Sequence, residues 1–270
     1  MTPSGTFNCV HSFTGADGAY PIAPPVEGLD GNYYGTTSQG GPTLGVIYKM
    51  TRACVVTVLY GFPGFASPNA PLLLASDGYF YGTTVGDGTG GDGTVFRMTK
   101  NGAVTVIYNF DYTNGAQPYS PVIQGNDGNL YGTAYTGGAS NAGVVFQVTR
   151  SGKFTVLHAF NGADGSNPYA GLAQATDGTF YGATSAGGGS GSGTLFKVTA
   201  HGVFSNLENF TAMGSAGYMP QVSLVQHTNG LLYGENTFGG IAPAELNEGA
   251  GGHRSVPKSG DPRRSTRCCH

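Results

Sequence analysis

The 270 residues include 48 glycines, 16 tyrosines and 15 phenylalanines but no tryptophan, and only 10% are charged. Disordered chains combine few aromatics with high net charge, so 39% hydrophobic residues and a net charge of −3 argue for a folded, turn-rich β protein instead. The same balance leaves no Lys/Arg surplus for neutralising phosphate, which argues against nucleic acid as a partner, and no run of 18 apolar residues supplies a membrane-spanning helix.

In chain order, the first predicted element is a strand over Gly5 to Phe13. From there two markers recur. Tyr-Gly stands at Tyr34-Gly35, Tyr81-Gly82, Tyr131-Gly132, Tyr181-Gly182 and Tyr233-Gly234, at intervals of 47 to 52 residues. Phe13, Phe62, Phe110, Phe160 and Phe210 advance by 48 to 50. Two markers that keep one period define internal repeats. Each Tyr is preceded by a turn dipeptide: Asp30-Gly31, Asp77-Gly78, Asp127-Gly128, Asp177-Gly178 and Asn229-Gly230. Asp-Gly and Asn-Gly supply the positive φ of a tight hairpin.

The fourth copy shows the unit. Pro168 to Ala175 is a short apolar run, Thr179 to Thr184 a second strand, and Thr194 to Thr199 a third with alternating apolar and polar side chains. Val203 to Phe210 is the fourth. Glycine and β-branched residues interrupt every helical window. Four short strands in about 50 residues is the spacing of a propeller blade, whereas a β-solenoid has far shorter rungs. The expected fold is therefore all-β: a β-propeller domain over residues 1–240, with about five four-stranded blades near 14–62, 63–110, 111–160, 161–210 and 211–240 plus 1–13. The fifth blade begins with Gln221 to Gln226 and Leu231 to Asn236 and is either incomplete or closed by the N-terminal strand. The third strand expected after Phe238 is missing. Residues 241–270 read instead as an irregular tail, with Arg263, Arg264, Arg267 and Cys268-Cys269, and the arginines read as a solvated run.

The recurring unit Asp-Gly-x-(Leu/Phe)-Tyr-Gly-Thr-Thr, followed by a Gly-Gly loop and Gly-Thr-(Val/Leu)-Phe-(Arg/Lys)-(Met/Val)-Thr, resembles the Gloeo_Verruco (GloVer) repeat family from Gly5 to Gly240. The resemblance implies a bacterial propeller, exported or attached to the cell surface, although Met1 to Phe13 has no basic stretch before an apolar core. It brings no catalytic motif. Hydrolysis of N-acylhomoserine lactones is one activity that it implies for such repeats.

Motif chemistry is sparse. Gly188-Gly189-Ser190-Gly191-Ser192 fails the nucleophile-elbow pattern at its last position, and no P-loop, His-Glu-x-x-His or zinc-type Cys pairing occurs. Asp87 to Gly93 is rich in Asp and Gly like a calcium loop, lacks the closing Glu, and reads as an ordinary loop. His11 and His158 hold the place of Tyr60 and Tyr108 in their strands, which points to a structural role. Cys9 and Cys54 sit at different offsets and code no repeated disulfide.

One location remains. In a propeller the loops from the fourth strand to the next first strand gather around one mouth of the central channel. Here they carry Asp17, Asn69, Asp111, Asn114, Gln117, Asp164, Asn167 and Gln221, mostly close to a proline. Loops favour Asp and Asn in any case. Oxygen donors converging from several blades nevertheless suit Ca²⁺, and Asp17, Asn69, Gln117, Asn167 and Asp164 are the candidate ligands. Such an ion polarises a lactone or ester carbonyl, and Asp17 or Asp164 is the candidate base for the attacking water. The first expectation is thus a Ca²⁺-assisted hydrolase of small lactones or esters. The alternative is a non-catalytic propeller that binds glycans or protein partners, with Tyr20, Tyr119, Tyr169 and Tyr218 placed to stack on sugar rings. A glycosidase is weaker, since no carboxylate pair can be placed at the needed separation.

Overall fold

The computed structural model describes residues 9–212 and 217–238. Four successive units each form one antiparallel four-stranded sheet. The first holds β1 (Val26–Glu27), β2 (Tyr33–Thr37), β3 (Val46–Met50) and β4 (Val56–Gly61). The second holds β5 (Leu73–Leu74), β6 (Phe80–Thr84), β7 (Thr94–Met98) and β8 (Val104–Asn109). The third holds β9 (Ile123–Gln124), β10 (Leu130–Ala134), β11 (Val144–Val148) and β12 (Phe154–Ala159), and the fourth β13 (Ala173–Gln174), β14 (Phe180–Thr184), β15 (Thr194–Val198) and β16 (Phe204–Asn209). Strand order follows chain order in every sheet, so the first and fourth strands are its two edges. This is the expected propeller-type, all-β repeat. No described helix is long and apolar enough to cross a membrane.

The motif residues explain the sheet. The Asp of each Asp-Gly turn caps its hairpin: Asp77 Oδ1 accepts the Tyr79 amide at 3.1 Å and Asp127 Oδ1 the Asn129 amide at 3.1 Å. In the first three units the other oxygen accepts the buried tyrosine hydroxyl four residues on, at 2.9 Å for Tyr34, 2.8 Å for Tyr81 and 2.8 Å for Tyr131. In the four complete sheets the glycine after the tyrosine lies under the ring of its cross-strand partner. A Cβ on Gly82 would stand 2.5 Å from Phe96 Cζ, and one on Gly132 2.7 Å from Phe146 Cζ. Only glycine leaves room for that ring.

Aromatic rings then join unit to unit. Tyr34 packs on Phe80 at 4.3 Å and Tyr131 on Phe180 at 4.0 Å. The closing phenylalanines reach the next unit's third strand, Phe62 to Phe96 at 5.4 Å, Phe110 to Phe146 at 5.3 Å and Phe160 to Phe196 at 5.2 Å. These rings are buried and form the core between sheets. On the hairpin side a glutamine ties the three joints after the second unit: Gln124 Oε1 accepts the Ser76 amide at 2.9 Å, Gln174 the Asn126 amide at 3.0 Å and Gln226 the Thr176 amide at 3.0 Å.

Two expectations need correction. The apolar run Pro168 to Ala175 is ladder-bonded only at Ala173–Gln174. Its earlier backbone groups face neighbouring side chains: Ala170 O accepts Thr133 Oγ1 at 3.1 Å, and the Gly171 amide donates to Ser223 Oγ at 2.9 Å. Residues 9–13 form no strand, although Phe13 packs edge-on against Tyr48 at 5.1 Å, as the closing phenylalanines do elsewhere.

The fifth unit contains β17 (Tyr218–Pro220), β18 (Val225–Gln226), β19 (Leu232–Tyr233) and β20 (Asn236–Phe238), paired β18 with β19 and β17 with β20. Among the described residues no ladder joins it to the N-terminal segment. Tyr233 is accordingly 53% exposed, where Tyr34, Tyr81 and Tyr131 are fully buried. The tail and the missing third strand lie outside the described residues.

Candidate functional site

The face opposite the hairpin turns is built from the loops that lead into each first strand and the glycine loops between second and third strands. Its backbone is a repeated joint. Tyr20, Ser67, Gln117, Asn167 and Met219, each just before a proline, all adopt positive φ, between 45° and 57°. Positive φ is uncommon outside glycine and persists where surrounding bonds enforce it. In the last three the amide reaches back to the preceding unit's glycine loop: Gln117 N to Asp92 O at 2.7 Å, Asn167 N to Ala142 O at 2.8 Å and Met219 N to Ser192 O at 2.9 Å. The carbonyl accepts from the end of the unit's own second strand, Gln117 O from Tyr135 N and Asn167 O from Ser185 N, both at 3.1 Å. The following proline sits over the glycine that opens the preceding unit's third strand. A Cβ on Gly93 would stand 2.7 Å from Pro118 Cδ and one on Gly143 2.6 Å from Pro168 Cδ.

Asp17 and Asp164 each fold their own loop. Asp17 Oδ1 accepts the Thr14 amide at 2.8 Å and Thr14 Oγ1 at 3.0 Å, while Oδ2 pairs with His11 Nε2 at 2.7 Å. Asp164 Oδ1 accepts the Asn161 amide at 2.9 Å, and Oδ2 pairs with His158 Nε2 at 2.9 Å. The Thr14 amide is the chief cause that Asp17's carboxyl lies below the usual range; burial opposes it and the His11 bond adds to it. His158 is pushed down by burial, partly offset by Asp164, and is neutral near pH 7. Its ring stacks on Phe204 at 3.6 Å and 5°, as Tyr108 stacks on Phe154 at 3.8 Å and 5°. The structural place expected for His158 is therefore observed. The His–Asp pairs escape a reading of strand places alone, although the sequence carries their signal: His-x-Phe-x-Gly-Ala-Asp stands at both His11 to Asp17 and His158 to Asp164.

The five candidate ligands are spread over four units. Asp17, Asn69 and Asp164 belong to the loops of the first, second and fourth units, and both oxygens of each Asp are already engaged. Asn69 lies half-buried after Pro68. Among the described residues no three His, Cys, Asp or Glu side chains stand together as metal ligands. These residues as placed do not make a six- to eight-oxygen calcium cage. A cleft of ≈ 380 Å³ lies on the same face beside the Asp87 to Gly93 loop, lined by Asp92 and Asp111 among others. Asp111 there is committed to Asn114, through the amide at 2.8 Å and the side chain at 2.9 Å.

Gln117 and Asn167 do converge, around the second-strand end of the third unit. Gln117 Oε1 accepts Thr136 Oγ1 at 3.4 Å, and Asn167 Nδ2 donates to Tyr135 O at 3.2 Å. Three rings stand there. Tyr119 stacks on Tyr169 at 5.2 Å and 23°, and Tyr135 meets both edge-on, at 5.3 Å and 6.0 Å. Burial raises the Tyr119 phenol, and the neighbouring phenols Tyr169 and Tyr135 raise it further, so its hydroxyl stays protonated. The sequence placed Tyr119 and Tyr169 on this face but missed Tyr135. The available signal was a departure from the repeat, since Ser38, Val85 and Ser185 hold the matching place. Tyr20 and Tyr218 stand apart from this cluster, and Tyr218 stacks on Phe238 at 5.7 Å.

Residues 43–245 match the Gloeobacter/Verrucomicrobia repeat family. No curated relative matches the chain. Among solved structures, a streptogramin B lyase superposes with a TM-score of 0.56 at 18% identity, over 79% of this chain and 61% of its own. The virginiamycin B lyase of Staphylococcus aureus gives 0.54 at 12%, over 78% and 68%. A gluconolactonase of Xanthomonas campestris gives 0.55 at 14%, over 83% and 72%. The chain thus spans about 61% of the streptogramin B lyase's length. At these identities the likeness is one of fold.

Proposed function

The chain belongs to the Gloeobacter/Verrucomicrobia repeat family, and from that premise we propose that it is a hydrolase opening a small lactone or related ester, such as an N-acylhomoserine lactone, on its loop face. The observation that carries the reading is the gathering of Tyr119, Tyr135 and Tyr169 with the amides of Gln117 and Asn167, an apolar floor with convergent polar groups. The gluconolactonase of like fold supports the reaction class. In this reading water adds to the carbonyl carbon, the ring C–O bond breaks, and the released alkoxide takes up a proton. Asp164 and Asp17 are the proposed acid–base residues, each carrying a histidine that can pass the proton on.

The test is proton release in a pH-stat with N-hexanoylhomoserine lactone and glucono-δ-lactone, with and without EDTA. Turnover is expected, falling about 100-fold or more in Asp164→Asn if that carboxylate serves the chemistry. A thermal melt of the variant separates lost chemistry from lost loop structure. Chelation is included because Ca²⁺ was expected at this mouth: rates unchanged by EDTA remove the ion, and no turnover on either lactone removes the hydrolase.

A further inference from the structure

We infer that Tyr119, Tyr135 and Tyr169 form a subsite that stacks on the flat face of a saccharide ring. The inference rests on the hydrolase reading only for where a scissile bond would lie; the stacking surface stands without it.

The first observation is that the architecture does not need these rings. In each unit the residue after the joint proline occupies the same place, and there the chain carries Ile22, Asn69, Tyr119, Tyr169 and Gln221. At the matching end of the second strand it carries Ser38, Val85, Tyr135 and Ser185. The four complete sheets form alike with all of these residues. The tyrosines are therefore additions to the joint, and they are added to adjoining loops where they can meet.

The second observation is their exposure and company. Tyr169 is 40% exposed, and Tyr119 and Tyr135 are half-buried, so the stacked pair is open to ligand. Gln117 uses its Oε1 and Asn167 its Nδ2 within the protein. Gln117 Nε2 and Asn167 Oδ1 make no hydrogen bond among the described residues, and no buried side-chain polar atom lacks a partner, so both groups face solvent. Around the rings there is thus one free amide donor, one free amide acceptor and the phenol hydroxyls.

That chemistry selects the ligand. A purely aromatic molecule would desolvate the amides and hydroxyls without bonding them, at a cost. A strongly charged ligand finds no counter-ion among the rings and the amides of Gln117 and Asn167, which carry no charge. A pyranose offers an apolar C–H face to the rings and hydroxyls at its edge to the amides, which matches both halves of the surface.

The chain has no tryptophan, so tyrosine emission can be followed directly while maltotriose, cellotriose or triacetylchitotriose is added, with saturation-transfer NMR as a second readout. The substitutions are taken from the repeat itself and so suit the fold: Tyr119→Asn as in Asn69, Tyr169→Gln as in Gln221, Tyr135→Ser as in Ser38. At least one saccharide should bind saturably. Tyr119→Asn and Tyr169→Gln should weaken it about five- to tenfold, whereas Tyr119→Phe and Tyr169→Phe should stay within about threefold. If none of the three sugars binds, or the Asn and Gln variants bind like the parent, the inference is overturned. Saccharide binding without lactone turnover upholds it and removes the hydrolase. Turnover of N-hexanoylhomoserine lactone without saccharide binding does the reverse.

Discussion

The two faces of the repeated sheets use the same repeat in opposite ways. On the hairpin face the side chains recur with their bonds: Asp30, Asp77 and Asp127 hold Tyr34, Tyr81 and Tyr131, and Gln124, Gln174 and Gln226 each hold the preceding unit. On the loop face the backbone recurs, with five positive-φ residues before five prolines, but the side chains after those prolines run Ile22, Asn69, Tyr119, Tyr169 and Gln221. Side chains that repeat are those the joint needs. Side chains that vary on a fixed backbone are free for another use, and Tyr119, Tyr135 and Tyr169 are such side chains on adjoining loops.

The largest effects should come from breaking a repeated joint. Phe96 is 1% exposed, covers Gly82 and meets Phe62 of the preceding unit at 5.4 Å. Phe96→Ala should cost about 3–5 kcal/mol in urea denaturation. Gly82→Ala, whose methyl would sit 2.5 Å from Phe96 Cζ, should cost about 1–3 kcal/mol through overpacking. The double variant should lose less than the sum, because the methyl then enters space the ring has left. Tyr119→Asn on the loop face should stay within about 0.5 kcal/mol of the parent. A loop-face loss as large as that of Phe96→Ala would erase the distinction between the faces.

The same distinction sets what could be read from the sequence. Spacing carries the repeated parts: the Asp-Gly and Tyr-Gly markers locate the second strands within a residue, as Thr179 to Thr184 against the observed Phe180–Thr184 shows. The first strand of each unit is over-read, because an apolar run does not reveal that Ala170 O and the Gly171 amide bond to neighbouring side chains instead of a ladder. Loop chemistry was legible only as composition. Gln117 and Asn167 stand out in the sequence for their oxygens, yet both occupy the left-handed turn of the joint, and they meet because of backbone bonds on either side of Tyr135. Tyr135 itself is visible in the sequence only as an exception to the period.

An intermediate effect should follow from unlinking one Asp–Tyr pair. Tyr131 donates its hydroxyl to Asp127 at 2.8 Å and accepts Gln147 Nε2 at 2.6 Å. Tyr131→Phe removes both, for about 1–2 kcal/mol. Tyr181→Phe should cost less, since Asp177 accepts only the Thr179 amide among the described residues. Burial alone would raise the Asp127 carboxyl, but the bonds from Tyr131, Asn129 and the backbone outweigh it and hold it below its usual value. A carboxyl lowered in the fold contributes stability above its unfolded value, about pH 4, and loses it as pH falls through the folded value. The parent should therefore lose stability on acidification more steeply than Tyr131→Phe. Parallel acid limbs would mean that the pair does not set the carboxyl's affinity for protons.

The smallest effect is expected at the His158–Asp164 pair. If the pair only supports the loop, His158→Tyr reproduces what Tyr108 already does beside Phe154, and stability at pH 8 should stay within about 0.5 kcal/mol. The pH dependence should change in a defined direction. Burial lowers His158 in the fold despite Asp164, so below about pH 6.5 the unfolded chain binds the proton more readily. Unfolding then takes up a proton, and the parent loses stability as pH falls through that value, a loss the tyrosine variant should lack. Lactone turnover measured on the same variant separates the two faces once more. Stability kept with turnover lost assigns the histidine to proton transfer, while stability and turnover both kept return it to the repeated architecture.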